Sequence, residues 1–387
     1  MQLAGRSKLA IPVIEELLDG LRHQQLIEIR SGGGNELAYV FGLTDLGLRQ
    51  AQDFLQKNQY IGPAPVAWPD YVARMRKQAL QSMLISRTRV RDVFRDFVIR
   101  PSILDQIGPA MNSGRAIFLY GHAGSGKTYL AERMMKLLHG DVDIPYSVAI
   151  DSHIIQLFDP LVHKPVPVDN EPARPKLERR SFQDQRWVRC MRPVVVSGGE
   201  LALPMLDLEF DPVSKYYEAP LQLKANSGIL VIDDLGRQRV SPFDLMNRWI
   251  VPLDRRVDYL TLHTGKRFEV PFDVIVVFST NMKPTDLADD AFLRRIGYKV
   301  HVLEMTESEY TRVFEQVCAE FDIPFSKASV QELINEFHMP RKVPLLACYP
   351  RDLVRQVRDI AAYEEMAPAL SRGLMEKAWF NYFSDFT

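Results

Sequence analysis

The stretch AIFLYGHAGSGKTYLAERMMKLL, residues 116–138, decides the reading of this chain. A short apolar run leads into Gly121, His122, Ala123, Gly124, Ser125, Gly126, Lys127 and Thr128, and these lead into an amphipathic helical pattern. That is the strand–loop–helix context a phosphate-binding loop requires. Glycines let successive backbone amides turn inward around an anion, and the first turn of the helix adds its own unpaired N–H groups. Lys127 is placed to reach β- and γ-phosphates, and the Thr128 hydroxyl to ligate magnesium. The expected ligands are therefore ATP or ADP with Mg2+. Gly121, Ala123, Gly124, Ser125, Gly126, Lys127, Thr128 and Tyr129 are the candidate nucleotide contacts. His122 reads as a tolerated loop residue rather than a base.

Three further stretches pair with that loop. In GILVIDDLGRQ (228–238) four aliphatic residues end at two adjacent carboxylates. A continuous apolar run suits a parallel strand buried on both faces, and open α/β sheets bind ligands at the C-terminal ends of such strands. Asp233 is the natural holder of magnesium, directly or through water, and Asp234 can orient or deprotonate an attacking water. FDVIVVFSTN (272–281) is another apolar run, ending at Thr280 and Asn281. Beside the Asp233 strand, Asn281 would reach a γ-phosphate or the attacking water. DLADDAFLRRIGYKV (286–300) reads as a short helix ending in Arg294 and Arg295, candidates for a cation supplied to a neighbouring site. CYPRDL (348–353) places Arg351 at a helix start, where a cation is unfavourable unless an anion such as phosphate lies near. Arg237, just after the acidic pair, fits either a subunit boundary or an exposed turn.

Together these motifs resemble the AAA+ ATPase family over about residues 90–365. GHAGSGKT resembles Walker A, ILVIDD Walker B, FSTN sensor 1, FLRRI the arginine fingers and YPRDL sensor 2. The resemblance implies a ring or helical homo-oligomer, usually a hexamer, that hydrolyses ATP at subunit interfaces. It casts Asn281 as the sensor 1 residue, Arg294 or Arg295 as the finger acting in trans, and Arg351 as the lid contact to nucleotide. One position departs from the family pattern. The catalytic acid is usually Glu and is Asp234 here, one methylene shorter. Some initiator and helicase-loader members carry the same Asp–Asp pair, so a slow ATP-gated switch fits as well as a fast motor.

The rest of the 387 residues frame that core. Apolar residues make up 46% and charged residues 25%, as in an ordinary globular protein, and the net charge of −1 argues against a whole-protein nucleic-acid footprint. Cys190, Cys318 and Cys348 suit neither a disulfide framework nor a zinc site, so a reducing cytoplasmic setting is expected. No apolar run approaches a membrane span, so direct membrane insertion is not expected. The fold expected is a P-loop NTPase three-layer α/β core with a C-terminal helical lid and a small N-terminal α+β domain. Residues 1–62 read as helix, hairpin (with SGGGNE as its turn) and a second helix capped by Thr44, which resembles the later part of a winged-helix domain. Residues 63–89 read as linker and basic helix, 90–304 as the core with a long insertion at about 151–225, and 305–387 as the lid. The Pro-rich piece 159–177 reads as a surface loop.

Several elaborations bear on partners. Residues 71–100 hold eight Arg and Lys against two Asp. This fits a solvated helix face, a nucleic-acid contact or a contact with an acidic neighbour. In the insertion, Tyr216 and Tyr217 are candidate pore aromatics or packed rings, and Glu218, Lys224 and Asn226 are candidate interface residues. DRRVDYLTLHTGKRFEVPF (254–272) has the alternation of a hairpin and stands just before the Asn281 strand, resembling the pre-sensor 1 hairpin branch of the family. Lys266 and Arg267 at its tip fit DNA, an acidic polypeptide or solvent. Three functions follow: a protein-remodelling or assembly ATPase acting on a protein client; a DNA-associated ATPase in replication, transposition or transcription control; or a nucleotide-dependent scaffold that does not hydrolyse.

Overall fold

A computed structural model describes residues 2–31, 39–167, 184–287 and 290–383. The N-terminal unit comprises α1 (Gln2–Ser7), α2 (Ile11–His23), β1 (Ile27–Ser31), β2 (Val40–Leu43) and α3 (Asp45–Lys57). β1 and β2 pair antiparallel, and the Thr44 hydroxyl caps α3 by accepting from Gly47 N at 3.0 Å. Of the expected SGGGNE turn, residues 32–36 lie outside the described residues. The unit is an α+β assembly with little core of its own. Leu26 is its buried side chain among the described residues, while Val13, Leu17, Leu21, Leu46 and Phe54 stay exposed.

Next come β3 (Val66–Ala67), α4 (Trp68–Lys77), α5 (Arg87–Val93), α6 (Pro101–Ser113), β4 (Ile117–Tyr120) and α7 (Lys127–Met135). The chain continues through β5 (Asp141–Pro145), β6 (Ser147–Ile150), β7 (His153–Gln156), β8 (Trp187–Met191), β9 (Val194–Ser197), β10 (Glu209–Phe210), β11 (Tyr217–Glu218) and α8 (Leu221–Lys224). It then runs through β12 (Gly228–Ile232), α9 (Pro242–Arg255), β13 (Val257–Thr261), β14 (Arg267–Pro271), β15 (Val274–Thr280), α10 (Pro284–Leu287), α11 (Asp290–Leu293) and β16 (Tyr298–His301).

The central sheet has the order β16-β4-β15-β12-β9, and every pairing in it is parallel. Parallel strands need crossovers, and the helices between them cover both faces. Strand alternation sorts the side chains. Ile117, Leu119, Ile229, Val231, Ile275 and Val277 pack with Val90, Ile107, Met111, Leu130 and Met134 from α5, α6 and α7. Phe118, Leu230, Ile232, Val276 and Phe278 pack on the other side with Leu245, Met246 and Trp249 of α9 and with Phe292. The core is thus a three-layer P-loop α/β fold. Every residue of β12 and β15 is buried, which explains why both read as unbroken apolar runs.

A second layer sits beside this core and differs from the expected plan. Its sheet has the order β10-β11-β7-β6-β3, accompanied by the β5–β8 pair and the β13–β14 hairpin. Residues 63–89, expected as linker and basic helix, open with β3. Val66 is fully buried and pairs with Val148, and Tyr71 and Met75 of α4 enter the core of this layer. Tyr217 is a packed ring rather than a pore aromatic, and Tyr216 stacks edge-on against Tyr60 at 5.6 Å. Lys224 is buried and holds Asp159 (2.9 Å) and Glu218, while Asn226 donates to Tyr71 Oη and Pro271 O. Lys224 and Asn226 are internal ties rather than interface residues, whereas Glu218 holds Lys224 from the surface and stays exposed. The tip of the hairpin is docked: Lys266 pairs with Asp151, and the Arg267 guanidinium lies over the Tyr259 ring. From residue 168 onward the Pro-rich piece lies outside the described residues.

The basic stretch 71–100 is not one helix face. Arg74 pairs with Asp143, Arg87 with Asp105 and Arg95 with Asp92. Arg89 donates to the carbonyls of Lys136, Leu137 and Leu138 beyond α7, where a cation meets the negative end of the helix. Arg100 pairs with Glu309 and also donates to Glu304 O, clamping core to lid. Arg76, Lys77 and Arg91 stay exposed.

The lid comprises α12 (Glu307–Glu320), α13 (Lys327–Leu333), the single turn α14 (Met339–Arg341), α15 (Cys348–Tyr363) and α16 (Arg372–Tyr382). Thr306 and Glu309 form a complete capping box at its start. Tyr310, Phe314, Leu353, Val357 and Trp379 fill a core separate from that of the sheet. Among the described residues, no helix is long and apolar enough to cross a membrane.

Candidate nucleotide site

The parallel register aligns the ends of three strands. Tyr120 of β4 lies opposite Thr280 of β15, and Ile232 of β12 lies opposite Phe278. The phosphate loop, Asp233 and Asn281 therefore leave the sheet at one edge, with β15 between the other two strands. Within the loop Gly121, Gly124 and Gly126 have φ of 151°, 78° and 96°. A Cβ at Gly121 would lie 2.2 Å from Val302 O, so glycine there is a matter of space as well as torsion.

Lys127 is buried. Its ammonium donates to Gly121 O (3.0 Å), His122 O (2.8 Å) and Asn281 Oδ1 (2.7 Å). Burial pushes its pKa down from the ordinary value, and Asp233 and Asp234 oppose that shift. Thr128 Oγ1 donates to Asp233 Oδ2 at 2.8 Å. The two residues expected to hold magnesium are thus in direct contact. Ser125 Oγ is buried without a hydrogen-bond partner among the described residues. A buried unpaired hydroxyl inside a loop of inward-turned amides suits a phosphate oxygen as its missing acceptor. The donor set of hydroxyl and carboxylate suits a hard cation such as magnesium. Both groups fit the residues present.

Asp234 follows with φ of 50°, a left-handed conformation that is uncommon for a residue with a side chain. Its amide donates to Asp233 Oδ1 at 3.0 Å. The turn after it is tied to β15, since Leu235 N donates to Ser279 O and Thr280 Oγ1 to Leu235 O, each at 2.7 Å. It is tied to β9 through Gln238, whose Nε2 lies within bonding distance of the Gly198, Asp233 and Asp234 carbonyls. Thr280 stands in the strand-end FSTN motif but nothing in the sequence marks its bond to Leu235, and Gln238 carries no motif at all. Their roles come from pairings between distant segments.

The lid reaches the loop directly. Cys348 N donates to Gly124 O at 3.1 Å, and a Cβ on Gly124 would meet Cys348 Sγ at 2.4 Å. Arg351 sits in the first turn of α15 but pairs with Glu320 at 2.6 Å, so a carboxylate supplies the anion that its position demands. Tyr129 points outward from α7 and is 52% exposed. His122 lies 3.5 Å from Glu304 at the surface. Arg295 is half-buried against Asp254 at 3.3 Å, whereas Arg294 and Arg237 are exposed. The structure therefore joins Lys127 to Asn281 and Thr128 to Asp233, with Ser125 in the loop and Asp234 adjacent, while Tyr129 and Arg294 are exposed and Arg351 is paired with Glu320. Two surface hollows, of about 240 and 250 Å3, lie on α4 beside Trp187 and between α5 and α6, away from the phosphate loop.

Comparison with known proteins adds the following. A family model described as Domain of unknown function (DUF8689) matches residues 306–381, the span of the lid. A search of curated proteins found no match. Among solved structures, a point mutant of RuvB from Thermotoga maritima is similar at 12% identity, with 75% of this chain and 72% of that chain covered and a TM-score of 0.44. NtrX from Brucella abortus in complex with ADP is similar at 13% identity, with 79% of this chain and 59% of that chain covered and a TM-score of 0.43. The RuvB Holliday junction branch migration motor of Thermotoga maritima is similar at 12% identity, with 74% and 70% covered and a TM-score of 0.41. Superpositions this loose carry no argument about activity, and the assignment of the core rests on the strand order and the phosphate loop described above.

Proposed function

We propose that this chain is an ATPase of the AAA+ type that works as a homo-oligomer on a protein client. The observation that carries the reading is the convergence of Lys127, Thr128, Asp233 and Asn281 at one edge of the parallel sheet. Lys127 sits 2.7 Å from Asn281, and Thr128 sits 2.8 Å from Asp233. The loop amides and Ser125 receive the phosphates, and Lys127 leaves its carbonyl partners to take up phosphate charge. Thr128 and Asp233 hold magnesium, which when bound neutralises charge on the phosphate oxygens. Asp234 orients a water and accepts its proton as the oxygen attacks the terminal phosphorus, with ADP leaving. Asn281 holds the water or the γ-phosphate. Arg294, exposed and set at the end of the strand-edge helix, is the residue we assign to the neighbouring subunit's site, because Arg295 is paired with Asp254. Arg351 must exchange Glu320 for phosphate to act as a lid sensor.

A protein client is favoured over DNA by three observations. Five of the eight basic residues in 71–100 are bound within the chain, and the hairpin tip is docked on Asp151. The N-terminal unit, by contrast, exposes Val13, Leu17, Leu21 and Phe54, the kind of apolar surface a protein partner covers. The test is phosphate release from Mg-ATP by the full chain, its Lys127→Ala variant and its Asp234→Asn variant. The expected pattern is turnover in the first, lost nucleotide binding in the second, and retained binding with slow turnover in the third. Equal phosphate release from all three would overturn the ATPase reading. DNA binding that weakens steeply with added salt would overturn the choice of client.

A further inference from the structure

We infer that Gln238 is a positioning residue for Asp234, an inference that rests on the ATPase reading above. Asp234 has a left-handed backbone, φ 50°, that L residues adopt only when their surroundings hold them there. The direction of its short side chain follows from that turn. Gln238 is the group that spans the turn. Its Nε2 lies 2.9 Å from Asp233 O, 3.2 Å from Asp234 O and 3.3 Å from Gly198 O, and its Oε1 accepts from Gly236 N at 2.8 Å. Three carbonyls against one N–H fix which end of the carboxamide faces which way, since the flipped amide would set its oxygen against three acceptors.

The anchor on the far side is itself braced. Glu200 Oε1 accepts from Gly198 N (2.8 Å) and Ser197 Oγ (2.9 Å), and Ser197 O accepts from Asp233 N (2.8 Å). The end of β9 is therefore a rigid post, and Gln238 ties the backbone of both aspartates to it. The other side of the turn is tied to β15 through Leu235. A glutamate at position 234 would have an extra rotatable bond with which to correct its reach. An aspartate lacks that bond, so the reach of its carboxylate is set more closely by the turn that carries it. Among the described residues the hydrogen bonds of Gln238 run to the turn and to Gly198, none to the phosphate loop or Lys127; it acts through Asp234.

The test is steady-state and single-turnover ATP hydrolysis by the full chain carrying Gln238→Ala or Gln238→Glu, alone and in the Asp234→Asn background. Gln238→Glu keeps the shape and the acceptor for Gly236 but loses every donor, so it separates hydrogen bonding from packing. Both variants are expected to lower kcat by about ten- to a hundredfold, the loss that misplacing a reacting group brings. KM and nucleotide affinity should stay within about twofold of wild type, because the phosphate loop is untouched. In the Asp234→Asn background neither should slow the reaction further, as expected for residues acting through one group. An unchanged kcat in both variants, a matching change in KM, or additive losses in the double variant would overturn the inference while leaving the ATPase reading in place. A wild-type chain that releases no phosphate would overturn both.

Discussion

Replacing Gly124 by alanine tests whether the lid and the phosphate loop form one binding unit. Two terms act at this position. Gly124 has φ of 78°, so an alanine pays the left-handed cost of about 1–2 kcal/mol for a residue with a Cβ. The new Cβ would also stand 2.4 Å from Cys348 Sγ, well inside contact distance, and 3.5 Å from Cys348 Cβ. Cys348 cannot retreat freely, because its own N–H is bonded to Gly124 O and Tyr349 behind it is packed in the lid core. A variant loop that relaxes when free must return to this shape to bind phosphate, and the torsional term it then takes back corresponds to about a 5- to 30-fold loss of nucleotide affinity, taking 1.4 kcal/mol as tenfold, with the clash adding to it. Cys348→Ala removes the sulfur and hence the clash, but not the torsional cost. Titration of a fluorescent ATP analogue by anisotropy should therefore show a large loss for Gly124→Ala and partial recovery in Gly124→Ala/Cys348→Ala. The recovery should stop short of wild type by the torsional factor. Wild-type affinity for the single variant, or no recovery in the double variant, would refute the argument that the lid is seated on the loop.

Subunits lacking Arg294 should regain hydrolysis when mixed with subunits lacking Asp234, because each supplies what the other's site needs; no regain at any ratio, with oligomers shown to form, would count against shared sites. The lid should lose stability in mild acid. His338 is buried, accepting from Tyr310 Oη at 2.9 Å and facing Val343 O, and burial pushes its pKa down to about 4. The unfolded chain therefore takes up this proton first, so stability is full above pH 6.5 and falls as pH drops from there to about 4, by about 3 kcal/mol in all; a denaturation series in which His338→Gln keeps the same slope would refute this. Asp258 is buried against half-buried Arg248 (2.7 and 3.0 Å) and Gln222 (3.0 Å), and Arg248 keeps Asp207 (3.6 Å) as a second partner, so Asp258→Ala should cost about 1–3 kcal/mol through the charge-assisted hydrogen bonds it removes. Chemical denaturation would read the change, and a loss below about 1 kcal/mol would show that water reaches Arg248.

What could be read from the sequence was what is local. The phosphate loop announces itself because strand, glycines, Lys127 and the helix start lie within a short run, and their context is their meaning. The Thr44 cap and the hairpin before β15 are legible for the same reason. Asp233 and Asn281 could be nominated as strand-end polar residues, but their meeting with Thr128 and Lys127 depends on β15 lying between β4 and β12, a pairing of segments far apart in the chain. Val66 shows the limit most clearly. It sits among prolines, in what reads as linker, and is a strand residue only because β6 lies beside it. Arg351 reads as a helix-start residue and is one, but Glu320, the anion it meets, comes from a different helix. Tyr217 and Lys224 look like surface chemistry in a list of residues and are internal because the second layer closes over them.

That second layer is woven from separated lengths of chain. Residue 66 meets residue 148, residue 155 meets residue 217, and the hairpin of 257–271 closes over the same core. None of these contacts can form until the intervening chain has been gathered, whereas the lid is made of consecutive helices. Closing long loops costs entropy before any contact repays it. The lid should accordingly be the first part of the chain to become protected during refolding and the second layer the last, an order that pulsed hydrogen exchange would reveal. The same weave sets where the chain can be shortened. A cut placed just before residue 59 removes the N-terminal unit and keeps Gln59, which bonds Ser214, and Tyr60, which bonds Ser147 and packs on Tyr216. A cut placed after α4 takes Tyr71 and Met75 out of a closed core and should leave a chain that collapses without settling.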